Sequence, residues 1–126
     1  MSFGIKIRKA DAYFSQYLRK KRGYRCEKCG RQYREGERNF GVSHFWGRRN
    51  ENVRYDENNC DVLCNLPCHQ FFEENPESYR EWKLKKLGKK EYAKLKLSAQ
   101  FYCKRDDLAN EIYFKNKLKE YDRTQI

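Results

Sequence analysis

Two short cysteine pairs, Cys26-x2-Cys29 and Cys64-x3-Cys68, bracket a segment that holds His44 and Asn59, and the only other histidine, His69, follows Cys68 directly. Four thiolates about 2.3 Å from one Zn2+ make a closed tetrahedral site, structural rather than catalytic. Such a site would tie two distant stretches of chain to one point. The constraint matters because the rest of the sequence is poor in core material: 38% of residues are hydrophobic, 37% are charged and mean hydropathy is −1.20. A small core gains disproportionately from a metal cross-link. Six cysteines could instead form a disulfide framework. Met1–Ala10, however, lacks an apolar stretch long enough for a secretion signal, and no transmembrane run occurs. The expected compartment is the reducing cytosol, where close cysteine pairs favour metal over disulfide.

The ligand set has alternatives. Cys60 lies four residues before Cys64, and His69 adjoins Cys68, so either could replace one thiolate. Cys103, within AQFYCKR, reads as a packed thiol.

Around these pairs the sequence predicts an α+β chain forming a single domain over residues 1–126. Residues 11–22 place Tyr13, Phe14, Tyr17 and Leu18 on one helical face, with Gly23 as the stop. Within 23–75, CEKCG reads as a zinc knuckle turned by Gly30, and NFGVSHFWG as a strand carrying Phe40, Val42, His44 and Trp46 on one side. A second short strand is expected near Val53–Tyr55, and the segment from Cys60 to Asn75 should turn into a helix, completing a ββα unit. In 76–126, Asn75-Pro76-Glu77 predicts a capped helix running to Leu87 and ending at Gly88, with Tyr79, Trp82 and Leu87 packing. A further helix is expected over about 89–98. A last one, capped by Asp106 or Asp107, should turn Leu108, Ile112, Leu118 and Tyr121 inward.

The net charge of +11 suits a polyanionic partner, and its distribution is uneven. Residues 1–38 hold 12 basic and 4 acidic side chains, 39–76 hold 3 and 6, and 77–126 hold 14 and 8. An acidic centre between basic flanks suits a protein that grips backbone phosphates and holds a cation beside one of them. Arg48, Arg49 and Arg54 form one candidate DNA-binding group, and Arg19, Lys20, Lys21 and Arg22 another.

The stretches GYRCEKCG, VSHFWGRR and RYDENNCDVLCNLPCHQFF give the chain a resemblance, from about Asp11 to Gly88, to the zinc-stabilised HNH nuclease superfamily, as in phage nucleases and phage recombination proteins. The resemblance implies a ββα-metal fold pinned by Cys26, Cys29, Cys64 and Cys68. It also implies metal-dependent endonuclease activity on DNA, in the host cytoplasm if the protein is phage-encoded, with no membrane partner. His44 would be the general base, Asn59 would fix the hairpin and so aim His44, and His69 would hold a catalytic Mg2+ or Mn2+. Members of the superfamily commonly carry an acidic residue before the first histidine; here Ser43 stands there, leaving Asp61 or Asp56 to supply an oxygen ligand. The alternative is a non-catalytic zinc-finger protein that binds DNA.

Overall fold

In a computed structural model that describes residues 8–124, the chain is a mixed helical structure around a two-stranded antiparallel sheet. Most of Met1–Ala10, on which the reading of no secretion signal rested, lies outside those residues. Helix α1 spans Lys9–Lys21 and buries Ala10, Phe14, Tyr17 and Leu18, close to the face expected. Strand β1 is Phe40–His44 and strand β2 is Cys60–Cys64, paired from Phe40↔Cys64 to His44↔Cys60.

The second strand is therefore not at Val53–Tyr55. That stretch lies in a tight helical turn, Glu51–Val53, and the residues just after it. The physical reason is burial: all five residues of β2 are buried, so the strand lacks the polar alternation that marks a half-exposed one. A helical turn at Asn65–His69 and a short helix α2, Gln70–Glu74, follow.

Helix α3, Pro76–Ser98, is broken at Gly88, whose φ of 84° and ψ of 160° are inaccessible to helical backbone. The break falls where the sequence predicts one helix to stop and the next to begin. Asn75 does not cap α3; its side-chain amide donates to the Phe71 carbonyl, 2.9 Å away. Helix α4, Asp107–Thr124, begins where Asp106 accepts a hydrogen bond from the Ala109 amide at 3.0 Å. Its buried residue is Phe114, whereas Leu108 and Ile112 are exposed. The inward stripe is set by α4 packing along α1, where Tyr121 meets Tyr17 edge-on at 6.0 Å.

The core has two aromatic centres. Phe14 packs against Tyr55 and Phe114 at 5.4 and 5.0 Å, and Phe72 stacks on Tyr79 at 4.3 Å. The sheet lies among them. No described helix is long and apolar enough to cross a membrane.

Candidate metal centre and imidazole cavity

The sulfurs of Cys26, Cys29, Cys64 and Cys68 lie within 4.8 Å of one another. A tetrahedron with Zn–S bonds of about 2.3 Å has edges of roughly 3.8 Å, so little movement separates this cluster from a closed site. These four cysteines could hold a metal such as zinc. The first pair is presented by a tight knuckle: the Gly30 amide donates to the Cys26 carbonyl at 2.8 Å, and Gly30 turns the chain at φ 77°. The second pair comes from the end of β2 and the turn after it. Burial would push the Cys26 thiol up, but the backbone amides of Cys29, Cys64 and Lys28 outweigh it and hold the thiol down to about 7. That shift favours the thiolate form that binds metal.

Neither alternative ligand joins the cluster. Cys60 is fully buried and its thiol, pushed up to about 12 by burial and by Asp61, points to the Arg54 carbonyl at 3.8 Å. His69 places Nε2 3.4 Å from Glu73 instead. Cys103 is exposed, not packed.

Knuckle and sheet are joined by a residue that sequence reasoning missed. Glu27 donates its amide to the Val62 carbonyl (2.8 Å) and accepts the Val62 amide on its carboxylate (2.6 Å), taking both of that residue's backbone groups on β2. Arg22 and Lys86 neutralise it at 2.9 and 2.7 Å. No local pattern marks Glu27; its role depends on a strand far away in sequence.

His44, at the end of β1, and His69, in the turn after β2, line one cavity of about 320 Å³ together with Asp11, Arg48 and Asn65. Both also line a second cavity, of about 420 Å³, with Trp46, Glu73 and Glu77. His44 Nε2 is buried without a hydrogen-bond partner. Burial first, then the charges of Arg48 and Arg54, push its imidazole down to about 4, so it is neutral at physiological pH.

Asn59 is fully buried. Its Oδ1 accepts from the Trp46 amide (2.8 Å), and its Nδ2 donates to the carbonyls of Trp46 (2.9 Å) and Val53 (3.1 Å). The amide thus pins the chain two residues beyond His44, using both its donor and its acceptor.

Several residues proposed from sequence are occupied elsewhere. Asp61 is not an available oxygen ligand: it is 0% exposed and accepts hydrogen bonds from Lys83, Lys86 and Tyr79 at 2.8, 2.6 and 2.6 Å. Burial would raise its carboxyl, but the two lysines overcome that and hold it below the usual range. Ser43, its partner across the sheet, meets Tyr79 Oη at 3.1 Å. Asp56 is the cap of a helical turn, accepting the Asn58 amide.

The basic groups divide as sharply. Arg54 is 8% exposed; its guanidinium pairs through two nitrogens with Asp11 and also donates to the Arg48 carbonyl. Arg22 bonds to Glu27 and to the carbonyls of Cys60 and Glu57, Lys20 pairs with Asp122, Lys21 pairs with Glu57, and Arg19 Nε donates to the Ser15 carbonyl. All but the Arg19 contact, which stays within the helix, fasten α1 and its C-terminal end to their surroundings. Arg48 and Arg49 stay exposed, and Arg48 reaches the cavity wall.

Comparisons with protein-family models, curated proteins and solved structures give no match.

Proposed function

We propose that this protein is a metal-dependent DNA endonuclease of the HNH type that hydrolyses phosphodiester bonds, with His44 as general base. The observation that carries the reading is the meeting of His44, His69 and Arg48 at one cavity, with Asn59 pinning the residues after His44. Three residues expected from sequence line that cavity, and a fourth, Asn59, holds the backbone beside it, which supports the reading.

A neutral imidazole can take a proton from water as the water oxygen attacks phosphorus, which requires Nε2, buried and unpartnered here, to open to that water when substrate binds. A base with a pKa near 4 is weak. A bound phosphodiester, however, brings negative charge between Arg48 and His44, offsetting the cation that helps depress the imidazole. Substrate would thereby strengthen its own base. Arg48 supplies a guanidinium to the non-bridging oxygens, which suit its planar fork.

His69 and Glu73 would hold the divalent cation, Mg2+ or Mn2+, whose chemistry when bound is to neutralise charge on the phosphate and leaving oxygen. They offer two ligand atoms; among the described residues, the only cluster of three or more is the thiolate group. Phosphate and water oxygens would complete the shell, as is usual for Mg2+. Resemblance to phage recombination proteins extends the proposal to DNA recombination or processing.

One observation favours a second reading, a non-catalytic zinc protein that binds DNA: Ser43 is turned to Tyr79 and adds no oxygen to the cation site. Plasmid nicking with Mg2+ or Mn2+ decides between them. The nuclease reading expects nicking that His44→Ala abolishes while zinc content and duplex binding persist. Tight binding with no cleavage of linear, nicked, single-stranded or four-way DNA would sink it.

A further inference from the structure

Cations are abundant on this chain, but most of those expected to hold DNA are engaged internally. Helix α1 uses Lys20, Lys21 and Arg22 against Asp122, Glu57 and Glu27. The loop from the knuckle to β1 behaves differently. Arg25, Lys28, Arg31, Arg34 and Arg38 are all exposed, and none forms an ion pair among the described residues.

The three acids of that loop are already occupied. Glu27 is bound to Arg22, Lys86 and Val62. Glu37 accepts the Arg34 backbone amide at 2.9 Å, and Glu35 lies 3.9 Å from Lys20 on the α1 side. Arg25 donates to the Gly30 carbonyl at 3.1 Å, and the side chains of Arg31, Arg34 and Arg38 remain for an outside anion.

Position separates this set from the free lysines of α3. The Arg38 carbonyl accepts from Asn65 Nδ2 at 3.0 Å, and Asn65 lines the His44–His69 cavity. Arg31 sits 5.4 Å over the Tyr33 ring, which stacks at 4.8 Å on Phe40, the first residue of β1. Arg48 stands at the cavity wall and Arg49 beside it. The cations thus flank β1 in the chain, with the Arg38 backbone tied to one cavity residue and Arg48 at the cavity wall. Their chemistry differs too: six of the seven are arginine, whose fork matches phosphate, whereas the exposed basic residues Lys85, Lys89 and Lys90 are point charges.

We infer that the zinc-knuckle loop, through Arg31, Arg34 and Arg38, together with Arg48 and Arg49, is the surface that grips the DNA phosphate backbone, and that helix α1 is not. The inference rests on the nuclease reading for its partner but concerns binding alone. The knuckle then does two jobs: its thiolates brace the sheet, and its arginines carry the strand to the cavity.

The test measures binding of a short labelled DNA duplex as a function of salt, in a His44→Ala background so that nothing is cut. Each phosphate contact contributes about 0.9 to the slope of log K against log salt. Arg31→Gln/Arg34→Gln/Arg38→Gln should lower the slope by about 2.7 and weaken binding on the order of a hundred-fold near 0.1 M salt. Lys85→Gln/Lys89→Gln/Lys90→Gln removes the same charge from α3 and should lower the slope by less than about 1, and Lys20→Gln/Lys21→Gln should do the same. The corresponding Arg→Lys triple variant keeps the charge and should retain most of the slope, which separates contact loss from misfolding. Equal effects of the knuckle and α3 variants, or a larger effect of the α1 variant, would overturn the assignment. If the assignment fails while the unmutated protein still nicks plasmid, the nuclease reading stands; if the slope moves as expected but no DNA is ever cut, that reading falls and the binding surface remains.

Discussion

The thiolate cluster and the imidazole cavity draw on the same short stretch of chain, from Cys60 to His69, and are organised in opposite ways. Around the thiols the ligand atoms converge, all four within 4.8 Å, and backbone amides favour the ionised form at Cys26. Around the imidazoles the side chains share a cavity but form no ligand cluster among the described residues: His44 keeps a buried Nε2 without a partner, and His69 leans on an exposed glutamate. The first arrangement has its internal partners in place. The second leaves polar groups to be satisfied by something from outside, which is what the proposed site for chemistry requires.

The comparison can be broken most forcefully from the thiolate side. Cys26→Ser, or removal of metal by a strong chelator, should abolish cooperative unfolding, because binding energy at a structural zinc site is folding energy. Metal analysis with far-UV circular dichroism checks this, and a chelated protein that still melts in one sharp step would count against a structural metal. Next in size is the buried pair behind the sheet. Asp61→Asn should cost about 3–5 kcal/mol in urea unfolding by stranding Lys83, and a further Lys83→Met should recover part of the loss.

On the cavity side the order of effects reverses, with function more sensitive than stability. His44→Ala should reduce nicking by about 10²- to 10⁴-fold, with a change in stability within about 1 kcal/mol, since it deletes a buried atom that lacks a partner. Asn59→Ala should affect both, costing about 2–3 kcal/mol by leaving the Trp46 backbone unpaired and displacing His44. A loss of stability for His44→Ala as large as that for Asn59→Ala would make the imidazole a structural group.

The smallest effect is the titration of His44. Its folded value, about 4, lies below the ordinary 6.5, so the unfolded chain binds more protons between those pH values and stability falls on acidification through that window. Proton NMR should place the midpoint near 4, and Arg48→Ala should move it upward. A midpoint at 6.5 in the folded protein would mean that the imidazole is open to water.

What could be read in advance divides along physical lines. The knuckle, helix α1, the break at Gly88 and the cap at Asp106 rest on local chemistry, namely spacing, glycine freedom and short polar side chains, and each is visible in a few consecutive residues. Strand β2 was missed because burial on both faces erased its alternation. Helical periodicity turns Leu108 and Ile112 inward, whereas the packing of α4 against α1 buries Phe114 instead. Arg22 and Arg54, read from sequence as candidate DNA contacts, are engaged by acidic partners, Glu27 and Asp11, that only tertiary structure supplies. Asp61 looks like a free oxygen ligand in sequence for the same reason, since its lysines lie on a helix more than twenty residues on.

A two-stranded sheet has two open edges, and an open edge invites another chain to pair with it. Here the Glu27 carboxylate and amide take both hydrogen-bonding groups of Val62, the middle residue of β2, so that one acidic side chain stands where a third strand would lie. An arriving strand would have to displace a charged group held by Arg22 and Lys86, and bury it. A fold with so little apolar material has no wider sheet for protection; a single carboxylate placed by the cysteine knuckle blunts that edge.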